Sequence, residues 1–160
     1  MFHVRSAVLD DLVRVTEIAR QSGAAAQWSL DQYGQMLVSG SSSARVVLVI
    51  EEKEETSGMR AVLCGFLVAQ EVAGEWEIEN LAIDVSARRR GFGLHLLREF
   101  LQLVHSRGGK EIFLEVRESN VAARALYKNC TFIEAGRRKS YYHNPAEDAL
   151  ILKFSFLPKC

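Results

Sequence analysis

Proline is nearly absent from this chain: Pro145 and Pro158, both near its end, are the only two. No proline-marked linker and no internal repeat divides the sequence, so residues 1–160 read as one domain, long enough to bury a substantial core. Cysteine is scarce too. Cys64, Cys130 and Cys160 lie far apart and show no metal-ligand spacing, so they read as reduced thiols in a cytoplasmic protein. The four histidines, His3, His95, His105 and His143, form no metal constellation, and no metal is expected. Net charge is also missing: 20 basic and 20 acidic side chains cancel, so no global field draws the chain to nucleic acid. No apolar run approaches the length of a membrane span, and Met1-Phe2-His3-Val4-Arg5 has no apolar core, so neither a span nor a secretory leader is expected.

What the sequence does hold is the run Arg88-Arg89-Arg90-Gly91-Phe92-Gly93, set between an expected strand over 75–84 and an amphipathic helix over 93–107. The first N–H groups of a helix lack intrahelical partners, and the macrodipole adds partial positive charge there. Gly91 and Gly93 let an anion approach the backbone, and the arginines add planar donor forks suited to phosphate oxygens. The spacing is neither a Walker loop nor a dinucleotide fingerprint. Taken alone, the hexapeptide is equally compatible with a solvated loop.

Along the rest of the chain, a strand is expected over 2–7, followed by a helix capped by Asp10 and carrying Leu12, Val15, Ile18 and Ala19 at helical spacing. Residues 22–27 are a small-residue connector. Ser29 caps a second helix to about Val38, which Ser39-Gly40-Ser41-Ser42-Ser43 ends. Strands follow over 45–51 and 61–71 around a charged hairpin loop at 51–60, and then over 75–84. After the long helix, Gly108-Gly109 is a stop. A strand over 111–117, a helix from the Asn120 cap to about Asn129, and closing strands over 132–135 and 149–156 complete a mixed α/β layer with a central sheet.

Three features carry chemistry. Trp76 and Ile78 alternate with Glu75, Glu77 and Glu79, but Leu81 and Ile83 fall on the opposite phase. A β-bulge near Asn80 produces that slip; burial of the strand's second half on both faces is the alternative. Glu115 lies in the apolar strand Phe113-Leu114-Glu115-Val116-Arg117, where desolvation would suit it to general-base work; pairing with a neighbouring arginine is equally compatible with the spacing. On the helix after Asn120, Ala123, Leu126, Tyr127 and Cys130 share a face of mostly small residues. Tyr127 there is either a proton donor over a slender ligand or a packed core residue.

Taken in order, Leu81-Ala82-Ile83-Asp84, the arginine-glycine turn, Leu114-Glu115-Val116-Arg117, Asn120 and Leu126-Tyr127 resemble the GCN5-related N-acetyltransferases over nearly the whole chain. Trp28-Ser29, Arg137-Arg138-Lys139-Ser140-Tyr141-Tyr142 and Glu147-Asp148-Ala149-Leu150-Ile151 narrow the resemblance to the RimI-type ribosomal-protein alanine acetyltransferases. The resemblance implies a mixed sheet of about six to seven strands flanked by about four helices, with two splayed strands forming an acetyl-CoA cleft. It implies that the backbone of Leu81, Ala82 and Ile83 pairs with the pantetheine arm, that Asn120 bonds the arm from the other side, and that the turn residues Arg88, Arg89, Arg90, Gly91, Phe92, Gly93 and Leu94 hold the pyrophosphate. Glu115 is implied as general base, Tyr127 as general acid, and Glu79 as a second base candidate. The implied acceptor is a protein or peptide N-terminus, with a ribosomal protein as the type case.

Two departures from the family pattern stand out. Cys130-Thr131-Phe132 replaces the usual Leu-Gly-Phe, and threonine is strained in the left-handed conformation that glycine tolerates, which points to a reshaped helix exit. Residues 23–27 are alanine-rich, without the bulky side chains expected in an acceptor pocket. A small-molecule amine acetyltransferase and a non-catalytic acyl-CoA-binding domain remain as alternatives on the same fold; a nucleic-acid module is disfavoured by the zero net charge.

Overall fold

Val46 to Ile50 is an unbroken apolar run, a pattern that suits a strand buried on both faces. In the computed structural model, which describes residues 1–23, 27–39, 44–54 and 60–157, that run is the middle of β2 (Arg45–Glu54). The other elements are β1 (Phe2–Ser6), α1 (Leu12–Gln21), α2 (Leu30–Ser39), β3 (Arg60–Val72), β4 (Glu75–Ile83), α3 (Phe92–Ser106), β5 (Glu111–Arg117), α4 (Val121–Asn129), β6 (Ile133–Tyr142) and β7 (Glu147–Ser155). The expected order of elements holds throughout. Parts of the connector at 22–27, the turn at 39–43 and the hairpin loop at 51–60 lie outside the described residues.

Among the described residues, seven strands form one sheet in the order β1-β2-β3-β4-β5-β7-β6. All neighbours are antiparallel except β4 and β5, which are parallel and joined through α3. The sheet separates two cores. On one face α3 and α4 pack Leu96, Leu97, Phe100 and Tyr127 against Val46, Leu48, Ile50, Trp76 and Ile112. On the other, α1 and α2 pack Val15, Ile18, Tyr33 and Leu37 against Val47, Val49, Phe66 and Val68. Both faces of β2 are therefore covered, which accounts for its apolar run.

The expected bulge is present. Val68 pairs with Asn80 and Ala69 with Ile78, so Glu79 is the extra residue on β4. Before it, Trp76 and Ile78 face the α3 core; after it, Leu81 and Ile83 face the same core. Asn80 and Ala82 turn to the other side, where Asn80 Nδ2 donates to the Tyr33 hydroxyl at 3.0 Å in the buried interior. That bond anchors the bulge to α2.

Two details differ from the sequence reading. Asp10 does not cap α1. A turn of 3-10 helix (Leu9–Asp11) comes first, and Asp11 stands at the helix start. Its carboxylate turns back to accept from the Val8 N–H at 2.8 Å and from both terminal nitrogens of Arg5 at 2.8 and 2.9 Å, because a bidentate arginine on β1 competes for the oxygens a cap would use. The strand expected over 132–135 runs on to Tyr142. Gly-Arg-Arg-Lys-Ser shows no apolar alternation because β6 is an exposed edge, held by its ladder to β7 rather than by burial. The Ser29 cap is present as a reciprocal pair: the Gln32 N–H donates to Ser29 Oγ at 3.2 Å and the Ser29 N–H donates to Gln32 Oε1 at 2.7 Å.

Candidate active site

β4 and β5 pair only at Trp76–Ile112, Glu77–Phe113 and Ile78–Leu114. Beyond the bulge β4 stays with β3 through Ile83, while β5 stays with β7 through Arg117, so the two strands part. A cleft of about 440 Å³ fills the gap, lined by Leu81, Glu115, Asn120 and Tyr127 among others, with Trp28, Tyr141 and Tyr142 at its outer walls. The strand splay thus brings together residues that lie 46 positions apart in sequence, from Leu81 to Tyr127. Of Leu81, Ala82 and Ile83 only Leu81 lines the cleft; the side chains of Ala82 and Ile83 pack into the two cores, and the Ile83 carbonyl accepts from Arg88 Nε.

Tyr127 is 6% exposed and sits at the cleft wall through the inner face of α4. Burial pushes its phenol well above the ordinary tyrosine value, so it stays protonated at any physiological pH. Asn120 caps α4, its side-chain oxygen accepting from the Ala123 N–H at 3.2 Å, and lines the cleft as well. Thr131 keeps the left-handed conformation at φ +66°, so the expected reshaping of the helix exit does not occur. The Thr131 N–H donates to the Lys128 carbonyl and the Phe132 N–H to the Tyr127 carbonyl, the two bonds of a Schellman turn, and these hold threonine where glycine would be at ease.

Three carboxylates stand at the cleft. Glu115 takes the second of its two sequence readings: Arg138 Nε meets its Oε1 at 2.8 Å. Glu79, in the bulge, accepts from Arg45 Nη2 at 2.9 and 3.3 Å. Glu77 has no ion-pair partner among the described residues. Burial, then the negative charges of Glu79 and Glu115, push its carboxyl up, only partly offset by Arg138 and a hydrogen bond from Gln70. Sequence reading passed over Glu77; its place two residues before the bulge, on the phase of Glu75 and Glu79, was the available signal.

At the other end of β4 the arginine-glycine turn opens α3. Gly91 occupies the helix start at φ +85°, a conformation that favours glycine, and α3 then begins at Phe92. The N–H groups of Phe92, Gly93 and Leu94 belong to the unpaired first turn. The side chains do more structural work than the sequence suggested. Arg90 pairs with Glu52 at 2.7 Å and lies 5.0 Å over the Phe92 ring, Arg88 Nε donates to the Ile83 carbonyl at 3.2 Å, and Phe92 is 1% exposed in the core. Asp84 ties this corner down. Burial alone would raise its carboxyl, but bonds from the Ser86 hydroxyl and N–H and the Arg14 guanidinium outweigh that and hold it below the usual range.

A second cavity of about 420 Å³, lined by Gln32, Gln35, Met36 and Arg45, shares Trp28 and Glu79 with the cleft. Together they form a trough running past the bulge towards α2. Trp28 stands edge-on to Tyr33 with ring centres 5.4 Å apart, supplying the aromatic wall that residues 23–27 lack; residues 24–26 lie outside the described residues.

A sequence model described as the acetyltransferase (GNAT) family matches residues 12–132. The ribosomal protein bS18-alanine N-acetyltransferase of Salmonella typhimurium is 39% identical over 92 residues, 56% of this chain and 62% of that enzyme, so the match spans under two thirds of the relative's length. A putative enzyme of the same description from Bacillus subtilis is 32% identical over 149 residues, 93% of this chain and 92% of the relative. The crystal structure of the Escherichia coli ribosomal-protein-S18-alanine N-acetyltransferase superposes with a TM-score of 0.80 at 29% identity, covering 97% of this chain and 94% of that one. Arabidopsis thaliana NAA60 in complex with a bisubstrate analogue gives a TM-score of 0.85 at 18% identity over 97% of this chain and 98% of that one, a likeness of fold alone. With strand splay, bulge, turn and cleft in the expected order, this chain belongs to the acetyltransferase (GNAT) family.

Proposed function

We propose that the chain is an acetyl-CoA-dependent N-acetyltransferase acting on the N-terminal α-amine of a protein, of the ribosomal-protein alanine type. The observation that carries this reading is the meeting of Glu115 and Tyr127 on one cleft where β4 and β5 part. The backbone of Leu81, Ala82 and Ile83 would receive the pantetheine arm as an added strand, with Asn120 opposite. The N–H groups from Arg89 to Leu94 would receive the pyrophosphate, the side chains of Arg88 and Arg89 adding charge and that of Arg90 remaining with Glu52. With acetyl-CoA and a ribosomal protein as substrates, the site of action would be the cytoplasm.

The reaction follows from these placements. An α-amine with a pKa of about 7.7–8.0 arrives largely as ammonium at neutral pH and must lose a proton. Glu115 accepts it, directly or through water. The amine nitrogen attacks the thioester carbonyl, whose developing oxyanion is met by backbone N–H at the bulge. The new C–N bond forms, the nitrogen gives up its second proton to solvent, the C–S bond breaks, and the sulfur leaves as thiolate. Tyr127 donates its phenolic proton to that sulfur, giving free CoA, and regains one from solvent. The apolar wall that keeps the phenol protonated also makes a nearby thiolate more basic, so donor and acceptor rise together.

The trough past Trp28 and Glu79 supports a polypeptide acceptor, since a small amine needs no second cavity. Acetyl-CoA turnover is to be measured on peptides beginning with Ala, Ser, Met or Gly and on free polyamines. The alanine peptide is expected to be the best acceptor; a polyamine preferred over every peptide would replace this reading with small-molecule acetylation, and CoA binding without turnover would leave an inactive binding domain. In the same assay Tyr127→Phe should lower kcat about 10²–10⁴-fold with CoA affinity retained. Unchanged kcat would remove Tyr127 from the acid role.

A further inference from the structure

Arg138 lies on β6, and β6 is not a neighbour of β5: β7 stands between them. In register, Arg138 pairs with Ala149 and Ala149 with Arg117, which is two residues from Glu115 on the same face. The arginine therefore reaches diagonally over the small side chain of Ala149 to meet Glu115 at 2.8 Å. Its guanidinium also lies 5.5 Å over the ring of Tyr141, a residue of the cleft wall. With the Arg138 side chain 55% exposed, solvent screens the pair and it adds little to folding stability.

The surroundings give that contact another consequence. Glu115 faces Glu77 and Glu79 on β4, Arg138 and Tyr142 on β6, Tyr127 on α4, and Arg117 on its own strand, which is engaged with Glu147 and the Tyr142 ring. Of the three carboxylates, Glu79 has Arg45, Glu115 has Arg138, and Glu77 has no ion pair among the described residues. Without Arg138, no cation would be bonded to Glu115 to hold its carboxylate in place against the repulsion of its acidic neighbours. A glutamate also turns freely about its side-chain torsions unless something holds it.

We propose that Arg138 is a positioning residue for acetyl transfer, reaching over β7 to hold the Glu115 carboxylate oriented at the cleft until the acceptor amine docks. The proposal rests on the reading of Glu115 as the base. The long, polar β6 edge strand then has a catalytic consequence, since it carries the cation that orients the base on β5, two strands away.

The test uses wild type, Arg138→Gln, Arg138→Lys, Glu115→Gln and the Glu115→Gln/Arg138→Gln double variant. The side-chain carboxyl carbon of Glu115, assigned by its loss in Glu115→Gln, is followed by NMR at the pH of the assay. In Arg138→Gln its resonance should shift and broaden as the freed side chain samples further rotamers. Arg138→Lys, which keeps the charge without the planar fork, should restore only part of the resonance and part of the turnover. On the alanine peptide at saturating acetyl-CoA, Arg138→Gln should lose about tenfold in kcat, a fraction of what a general base contributes, with CoA affinity and thermal midpoint unchanged. In the Glu115→Gln background the same substitution should cost nothing further. An unchanged Glu115 resonance, or a loss in kcat that persists in full without Glu115, would overturn the proposal while leaving Glu115 as base. Full activity in Glu115→Gln would overturn the base reading itself, and this proposal with it.

Discussion

At the residue scale the arginine-glycine turn divides its work between backbone and side chain. Gly91 sits at φ +85° with open space where a Cβ would project, so a side chain there meets no clash, only backbone strain. A β-branched residue in that conformation is strained by about 1–3 kcal/mol and would tend to swing the N–H groups of the α3 start out of line. Arg89 also has positive φ, at +63°, but in the reading given above its side chain adds only charge. Gly91→Val should therefore weaken CoA binding more than Arg89→Glu, as measured by calorimetry. The opposite ranking would shift the phosphate interaction from backbone to side chains. Arg90, engaged by Glu52 and the Phe92 ring, and Arg88, bonded to the Ile83 carbonyl, show that two arginines of the three take part in structure.

At the scale of elements, α4 ends against its own residue preference. Thr131 occupies the left-handed position of a Schellman turn, and a non-glycine residue there costs about 1–2 kcal/mol. Thr131→Gly should therefore stabilise the protein, by about 1 kcal/mol once the added chain entropy of glycine is set against the relieved strain. Urea unfolding would read this as a higher midpoint at constant slope, and a lower midpoint would mean that the threonine side chain holds the exit in place. Because Tyr127 is the residue whose carbonyl closes this turn, turnover should be little changed if the exit is already in its relaxed geometry. The bulge in β4 is anchored across elements instead: Asn80 to Tyr33 on α2, with burial pushing the Tyr33 phenol up to about 12.

For the whole molecule, Asp11 and Asp84, far apart in sequence, are the buried ones among the four described carboxylates held below their ordinary values, with Glu147 and Asp148 less covered. Burial would raise both Asp11 and Asp84. Arg5 and the Val8 N–H reverse this for Asp11, and Ser86 with Arg14 for Asp84, so both folded values lie below the usual carboxylate range. A depressed folded value means that the unfolded chain binds protons first as pH falls. Their contribution is therefore present above the unfolded value of about 3.9 and is lost as pH drops from there through the folded values. Asp84→Asn should flatten the fall in thermal midpoint below about pH 4. It should also cost about 1–3 kcal/mol at neutral pH by breaking the bonds with Ser86 and Arg14. An unchanged acid slope would assign the dependence to other groups. Since Asp84 lies between β4 and the turn, the same variant should loosen the corner that presents the α3 start.

The order of elements, the bulge, the turn before α3 and the caps at Ser29 and Asn120 were all legible in the sequence, because each is written in residues close along the chain. Periodicity, a phase slip of one residue and a capping side chain are local signals, and local backbone energetics enforce them. The identity of the partners at the cleft was not legible. Glu115 carried two readings until the sheet order placed Arg138 across β7; Glu79 proved to be paired with Arg45, 34 residues away, and Glu77 went unnoticed. The same is true of Asp11, whose oxygens go to an arginine on β1 rather than to the helix start, and of β6, whose length comes from its ladder and not from its composition. Charge pairing and edge-strand register are decided by which strands become neighbours, and only the folded sheet brings those neighbours together.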